Sequence, residues 1–332
     1  MEHEVRAVWY TGRGSADDVL QFGAQPKPVP GPGEVLLRIR YSGVNPGDVK
    51  KRSGWQDAPM PYPLVIPHSD GSGWIEAVGE HVDPSRVGRA AWCFGAQSYR
   101  PKGTAAEYAA VPADRVIDLP GEPTDDIMKN AACLGIPGIT AHYGLLADGP
   151  INNKAVLIYG AAGRVGLLAC EIAKHHRGHV IPVVRRPEQH RALTTRGYTH
   201  TVLDDGNDFI PQIKELAPTG IDRILDVDFT AHIEQNTKIL GTNATIAAYY
   251  SSNSNPPIPY WQLGFANTTI RFLGSDDFPL QSKQDAAHDL TALLSEGLTL
   301  PIEGVCPLSE TATAHKAVEA GKQLGYTLIG VD

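Results

Sequence analysis

The sequence is short of sulfur, with 4 Cys and 3 Met among 332 residues. Cys93, Cys133, Cys170 and Cys306 are scattered, and none forms a CxxC pair. That spacing excludes a zinc knuckle and a disulfide framework, and it fits the reduced thiols of a cytoplasmic protein. No apolar run reaches the roughly 18 residues of a membrane-spanning helix. The opening MEHEVRAVWY has no apolar h-region, so no secretory signal is expected. Basic charge is also scarce: 29 Lys and Arg stand against 37 Asp and Glu, a net charge of −8. This balance argues against broad nucleic-acid binding and serves solubility. There is no internal repeat or low-complexity tract. No Ser-His-Asp, Cys-His or paired-carboxylate arrangement can be argued, so a cofactor is expected to carry the chemistry.

Hydrophobic residues make up 42% and charged residues 20%, the proportions of a soluble globular protein. At this length two domains are expected. The chain is organised around Ala155 to Leu168, AVLIYGAAGRVGLL. Ala155 to Tyr159 reads as a short buried strand. Gly160, Gly163 and Gly166 form a G-x-x-G-x-x-G turn. A helix then starts at Val165, with Lys174, His175, His176 and Arg177 in its last turn and Gly178 after it. Glycine lets the turn take unusual dihedrals and lets a diphosphate approach the first N–H groups of the helix. This is a spaced variant of the dinucleotide fingerprint.

Residues 1 to about 120 are rich in Gly, Pro and short strands: Val5 to Tyr10, Val35 to Ser42, Ser72 to Val78, Arg89 to Phe94 and Ala105 to Val111. Helices are expected over Thr124 to Asn130 and 137–146. Six strands then alternate with helices: Ala155 to Tyr159, His179 to Arg185, Thr201 to Asp204, Arg223 to Asp228, Thr245 to Tyr250 and Ile270 to Gly274. That alternation predicts an α/β fold with a doubly wound parallel sheet. A long helix over Ser282 to Glu296 and a helix–strand tail follow, and the tail is expected to return to the first domain.

Several motifs in order, across essentially the whole chain, carry a family resemblance. They are PGPGEVLLRIRYSGVNPGDVKKRSG (30–54), HSDGSGWIEAVGEHV (68–82), GTAAEYAAVP (103–112), PGITAHYGL (137–145), GAAGRVG (160–166) and the PLSE…AH…G tail. The chain resembles the medium-chain dehydrogenase/reductase superfamily, and within it the zinc-free quinone oxidoreductases related to ζ-crystallin. The resemblance implies a GroES-like, mostly-β catalytic domain over 1–122 and 277–332. Around 123–276 it implies a Rossmann domain that binds NADP(H). It also implies a homodimer paired through edge strands, here Ile270 to Gly274. Zinc enzymes of the superfamily place a Cys where this chain has Asn45, and a His-Glu pair where it has Ser69 and Asp70. His68 lies one position early, and no metal is expected.

Arg185 and Arg186 end the second Rossmann strand, where an acidic residue would select NAD. Two guanidiniums suit the 2′-phosphate of NADPH. Relatives often add a Lys and a Tyr further on; here those positions are His190 or Arg191, and Asp204. Arg164, a cation at a helix N-terminus, either contacts a cofactor phosphate or faces solvent. Together with Gly160, Ala161, Gly163, Val165 and Gly166 it belongs to the expected cofactor turn. The switch-point rule places the nicotinamide near Tyr249, Tyr250 and Ser251, and near Gly274 and Ser275. Tyr249 is read either there or as a packing aromatic. By resemblance, Asn45 and Thr140 flank the nicotinamide and ribose.

Catalytic candidates are Asn45, Lys50 and His68. Lys50 occupies a position where many relatives carry Tyr; it stabilises an oxyanion or is solvated. His68 is a proton donor or a structural histidine. Trp55 and Tyr62, in a Pro-rich loop with Met60, form an apolar lip for substrate or pack the domain surface. The leading expectation is hydride transfer from NADPH to a quinone. An NADPH-dependent reductase of enones, alkenals or enoyl thioesters stays open, with Lys50, Lys51 and Arg52 as a basic rim for a carrier. So does an NADPH-binding structural or RNA-binding protein, against which the acidic balance argues.

Overall fold

The computed structural model describes residues 4–55, 59–321 and 324–331. In chain order the strands begin with β1 (Glu4–Trp9), β2 (Gln21–Pro26), β3 (Glu34–Gly43), β4 (Asp70–Val78), β5 (Ala90–Cys93), β6 (Tyr108–Pro112) and β7 (Val116–Asp118). Next come β8 (Ala155–Tyr159), β9 (His179–Val184), β10 (Val202–Leu203), β11 (Ile221–Asp226), β12 (Leu240–Ala248) and β13 (Thr269–Phe272). The last two are β14 (Ile302–Pro307) and β15 (Tyr326–Gly330). Contacts divide the chain into two compact units. One takes in the chain up to Ile136 and the stretch from Ala287; the other is Pro137–Ala286.

In the first unit, seven strands form one sheet in the order β14-β15-β3-β4-β5-β7, with β6 also paired to β3. β1 and β2 make a separate antiparallel hairpin. The core is built from alternating inward residues of these strands, among them Leu37, Ile39, Ile75, Ala91 and Val111. β15 pairs with β3 from Leu328↔Gly43 to Gly330↔Tyr41, so the tail does return to the first β sheet. It carries one more strand than expected, because β14 pairs in parallel with β15.

Sequence reading missed further elements here. β2, QFGAQP, has no apolar alternation and is held by its hairpin partner. β7 is only three residues long. A helix over Pro46–Ser53 replaces the expected surface run. Its signal was present: Asn45 before it, Pro46 at its first position and Asp48 in its first turn. The Asn45 N–H donates to Asp48 Oδ2 at 2.8 Å.

The second unit holds a six-stranded sheet in the order β10-β9-β8-β11-β12-β13, all parallel. This is the doubly wound order whose switch point lies between β8 and β11. β8 is an apolar run because helices cover both faces of such a sheet. Some bounds differ from expectation: β10 is two residues long, and β12 starts five residues before Thr245. The helix after the glycine turn spans Arg164–His175, and Arg177 rather than Gly178 takes the left-handed conformation at its end, at φ 58°.

Candidate cofactor site and catalytic residues

The second unit carries the dinucleotide turn. Gly160 follows β8 at φ 64°, a conformation that side chains rarely adopt. A Cβ on Gly166 would overlap the Gly160 carbonyl oxygen, so the helix can seat on the turn only with glycine there. Gly163 caps the helix and its N–H donates to Gly160 O at 2.8 Å. Ala161 is buried, and its N–H donates to Val183 O at 3.1 Å, tying the turn to β9. Arg164 and Val165 are half-buried in the first helical turn. The first N–H groups of a helix have no intrahelical acceptor, which makes this end fit a diphosphate.

Arg185, exposed, and Arg186, half-buried, follow β9 directly. The Gln189 side chain accepts from both of their backbone N–H groups at 3.2 Å, which fixes the strand-to-helix bend. Arg186 Nε also lies 3.3 Å from Glu188 Oε1. Asp204 N–H donates to Val184 O at 2.8 Å, so an acidic residue adjoins the end of β9. His190 is turned to Thr201 O at 3.1 Å.

Tyr249 and Ser251 follow β12, and Gly274 and Ser275 follow the adjoining β13. The Leu273 N–H bond to Ala248 O, 2.9 Å, holds these two ends together. Burial, and then the Asp226 carboxylate, raise the Tyr249 phenol pKa, so it stays protonated. Ser251 is held by Thr230 at 2.6 Å and by Asn253 O at 2.7 Å. Thr140 is buried on the helix Gly135–Leu146.

Sequence reading missed a buried cluster at the same sheet end. Asp226, fully buried at the end of β11, accepts from His232 Nδ1 at 2.6 Å and from Asn236 Nδ2 at 3.1 Å. The Tyr159 hydroxyl donates to Asn236 Oδ1 at 3.0 Å, and its ring stacks on His232 with centroids 3.9 Å apart. The available signal was the spacing of His232 and Asn236, four residues apart on one helix.

In the first unit, Asn45 is buried and its side-chain amide donates to Asp70 Oδ2 at 2.6 Å. The same carboxylate accepts from Ile136 N–H at 2.9 Å. Lys50 places its ammonium 5.2 Å from the Trp55 ring centroid, and Trp55 is 51% exposed. Tyr62 is half-buried, and its hydroxyl donates to Tyr99 O at 2.5 Å.

Two expectations are corrected. Arg52 is no part of a basic rim: it is fully buried, bound to Gly14 O and to Glu319 at 3.2 Å. His68 is not an accessible proton donor, for it is fully buried with both ring nitrogens engaged. The Thr104 hydroxyl donates to Asp70 O, which leaves Ser42 to donate to Thr104. His68 Nδ1–H then donates to Ser42 Oγ, and His315 Nε2–H donates to His68 Nε2, 2.9 Å away. Burial, and then His315, push His68 well below the usual histidine range; burial and Arg52 push His315 down to about 3. Both rings are neutral at pH 7.

Residues 31–121 match the model of the alcohol dehydrogenase GroES-like domain. The structure superposes on a mycobacterial quinone oxidoreductase with TM-score 0.83 at 26% identity, covering 98% of this chain and 99% of that one. A mycobacterial protein solved as a complex with NADPH gives TM-score 0.82 at 26% identity over 98% and 99%. Fold and site together define an oxidoreductase of the medium-chain dehydrogenase/reductase superfamily, built for a nicotinamide cofactor and a small-molecule substrate.

The quinone oxidoreductase of Lama guanicoe is 32% identical over 87% of this chain and 86% of its own length. The human synaptic vesicle membrane protein VAT-1 homolog is 26% identical over 98% and 86%. The chain belongs to the quinone oxidoreductase family related to ζ-crystallin. Among the described residues, no helix is long and apolar enough to cross a membrane.

Proposed function

We propose that this protein is an NADPH:quinone oxidoreductase that works without zinc. The observation that carries the reading is the end of β9. Arg185 and Arg186 stand where a carboxylate would bind the 2′-hydroxyl of NAD and repel a 2′-phosphate. NADPH, when bound, supplies the hydride. The chain's own residues bind and orient it: the turn Gly160–Gly166 takes the diphosphate, and Tyr249, Ser251, Gly274 and Ser275 are read at the nicotinamide end. A quinone takes its proton from water, so the reaction demands no acid of the protein, consistent with the sealed His68.

Zinc independence is read from Asn45 and Asp70. An amide stands where zinc relatives carry a thiolate, and it is engaged with the neighbouring carboxylate. We also read the protein as a cytoplasmic homodimer. β13 ends its sheet, and exposed Tyr260, Trp261, Phe265 and Phe272 lie on it or on the helix just before it.

The test is oxidation of NADPH at 340 nm, with NADH in parallel, against 1,4-benzoquinone, 9,10-phenanthrenequinone and a simple enone. NADPH-selective turnover of the quinones supports the proposal. Turnover of the enone alone assigns the double-bond reductase instead, and a preference for NADH overturns the arginine argument.

A further inference from the structure

The buried cluster at the switch point has no part in the chemistry described so far. Its four members form a closed ring of contacts. His232 donates to Asp226, Asn236 donates to Asp226, Tyr159 donates to Asn236, and the Tyr159 ring lies parallel to His232, 4° from coplanar. Two of the four adjoin the residues that meet at the cofactor turn. Tyr159 precedes Gly160, and Asp226 precedes Val227. Val227 lies beside Gly160: a Cβ built on Gly160 would stand 3.1 Å from Val227 Cγ1. The ring therefore borders the start of the glycine turn, through Tyr159 along the chain and through Val227 beside Gly160.

The carboxylate is the hub. Besides the two side chains, Asp226 Oδ1 accepts the N–H of Asp228 at 2.9 Å, which fixes the turn after β11. The backbone oxygen of Asp226 accepts from Tyr249 N–H at 3.1 Å, which fixes the end of β12. The ring and the Asp226 backbone together tie the ends of β8, β11 and β12. A buried carboxylate is costly, and apolar residues of like size often serve stability as well or better. Its use here points to geometry.

We propose that His232 is a positioning residue for the dinucleotide: acting through Asp226, it holds Val227 against Gly160 and so sets the seat of the diphosphate. This rests on the reading of the second unit as an NADPH site. The proposal places the effect of His232 on cofactor affinity and not on the chemical step.

The test compares wild type, His232→Phe, His232→Asn and Asn236→Leu by NADPH fluorescence titration, by kcat at saturating NADPH, and by melting temperature. Phe keeps the stack and loses the Nδ1–H donor; Asn returns an N–H at a similar reach. Loss of a hydrogen bond to a charged group predicts a Kd for NADPH raised about tenfold in His232→Phe. The same argument predicts kcat within about twofold of wild type, and a Kd for His232→Asn close to wild type. A purely structural role would lower the melting temperature and leave the Kd of the folded protein unchanged, which overturns the proposal. Equal weakening in His232→Asn overturns it too. Should His232→Phe not fold, Asn236→Leu removes the other side-chain donor to the same carboxylate, and an unchanged Kd there is again fatal. Wild type that binds no NADPH would bring down the cofactor reading itself; wild type that binds, with variants that bind equally, removes only His232's role.

Discussion

The side-chain amide of Asn45 and the carboxylate of Asp70 face each other across 2.6 Å, in the positions read as the Cys and the Glu of the His-Glu pair of zinc enzymes. On the proposal of a zinc-free enzyme, this hydrogen bond stands in place of a metal ligand set. Activity should therefore survive exhaustive dialysis against a chelator, and elemental analysis should find no stoichiometric zinc. Asn45→Ala leaves the buried Asp70 with one donor fewer, at a cost of about 1–3 kcal/mol. Urea denaturation reads that loss directly.

The two arginines after β9 make a prediction about cofactor choice. Replacing both Arg185 and Arg186 with Ala should raise KM for NADPH about tenfold or more, as expected for charge-assisted bonds to phosphate. KM for NADH should move less than about twofold, because NADH offers no phosphate there. Parallel steady-state kinetics with the two cofactors separate these outcomes.

Gly166 offers a test of the turn. Val at this position drives a side chain into the Gly160 carbonyl oxygen. Overpacking of this kind costs about 1–3 kcal/mol. The melting temperature should fall and NADPH binding should be lost together. A Gly166→Val protein that still binds NADPH would show that the helix need not approach the turn so closely.

His315 gives the first unit a pH dependence of known sign. Its folded pKa, about 3, lies below the unfolded value near 6.5. The unfolded chain therefore binds more protons between those limits. The stability contribution is complete above pH 6.5 and is lost as the pH falls toward 3. The loss is about 1.4 kcal/mol per pH unit for this single proton. Urea midpoints at pH 7, 6 and 5 should fall in order for wild type. A His315→Gln protein should show a flatter trend.

The dimer reading is tested at the aromatic face. Light scattering at micromolar concentration should give twice the chain mass for wild type. Trp261→Glu, which places a charge on that exposed face, should give the monomer. A monomeric wild type rules the reading out.

The parallel sheet was legible because buried strands are apolar runs and because glycines punctuate β8 and its helix. The glycine turn could be read for the same local reason: Gly160, Gly163 and Gly166 announce a backbone requirement. What escaped was long-range partnership. Lys50, Lys51 and Arg52 look like a solvated run, yet Arg52 is buried and pairs with Glu319, 267 residues away. His68 looks like a free proton donor until His315 arrives, 247 residues on, to take its second nitrogen. The Asp226 cluster was hidden for a similar reason: it joins Tyr159 to a helix 70 or more positions later, and no local pattern marks that pairing.

The pairing of β15 with β3 sets an order of events on the ribosome. From Leu328 to Gly330, β15 lies along Tyr41 to Gly43, residues made long before it. That edge of β3 must wait uncovered while everything between is translated. The Pro137–Ala286 unit is one continuous stretch and can close first. During that interval the growing chain exposes an unpaired strand edge, and this is the window in which a chaperone would have most to protect.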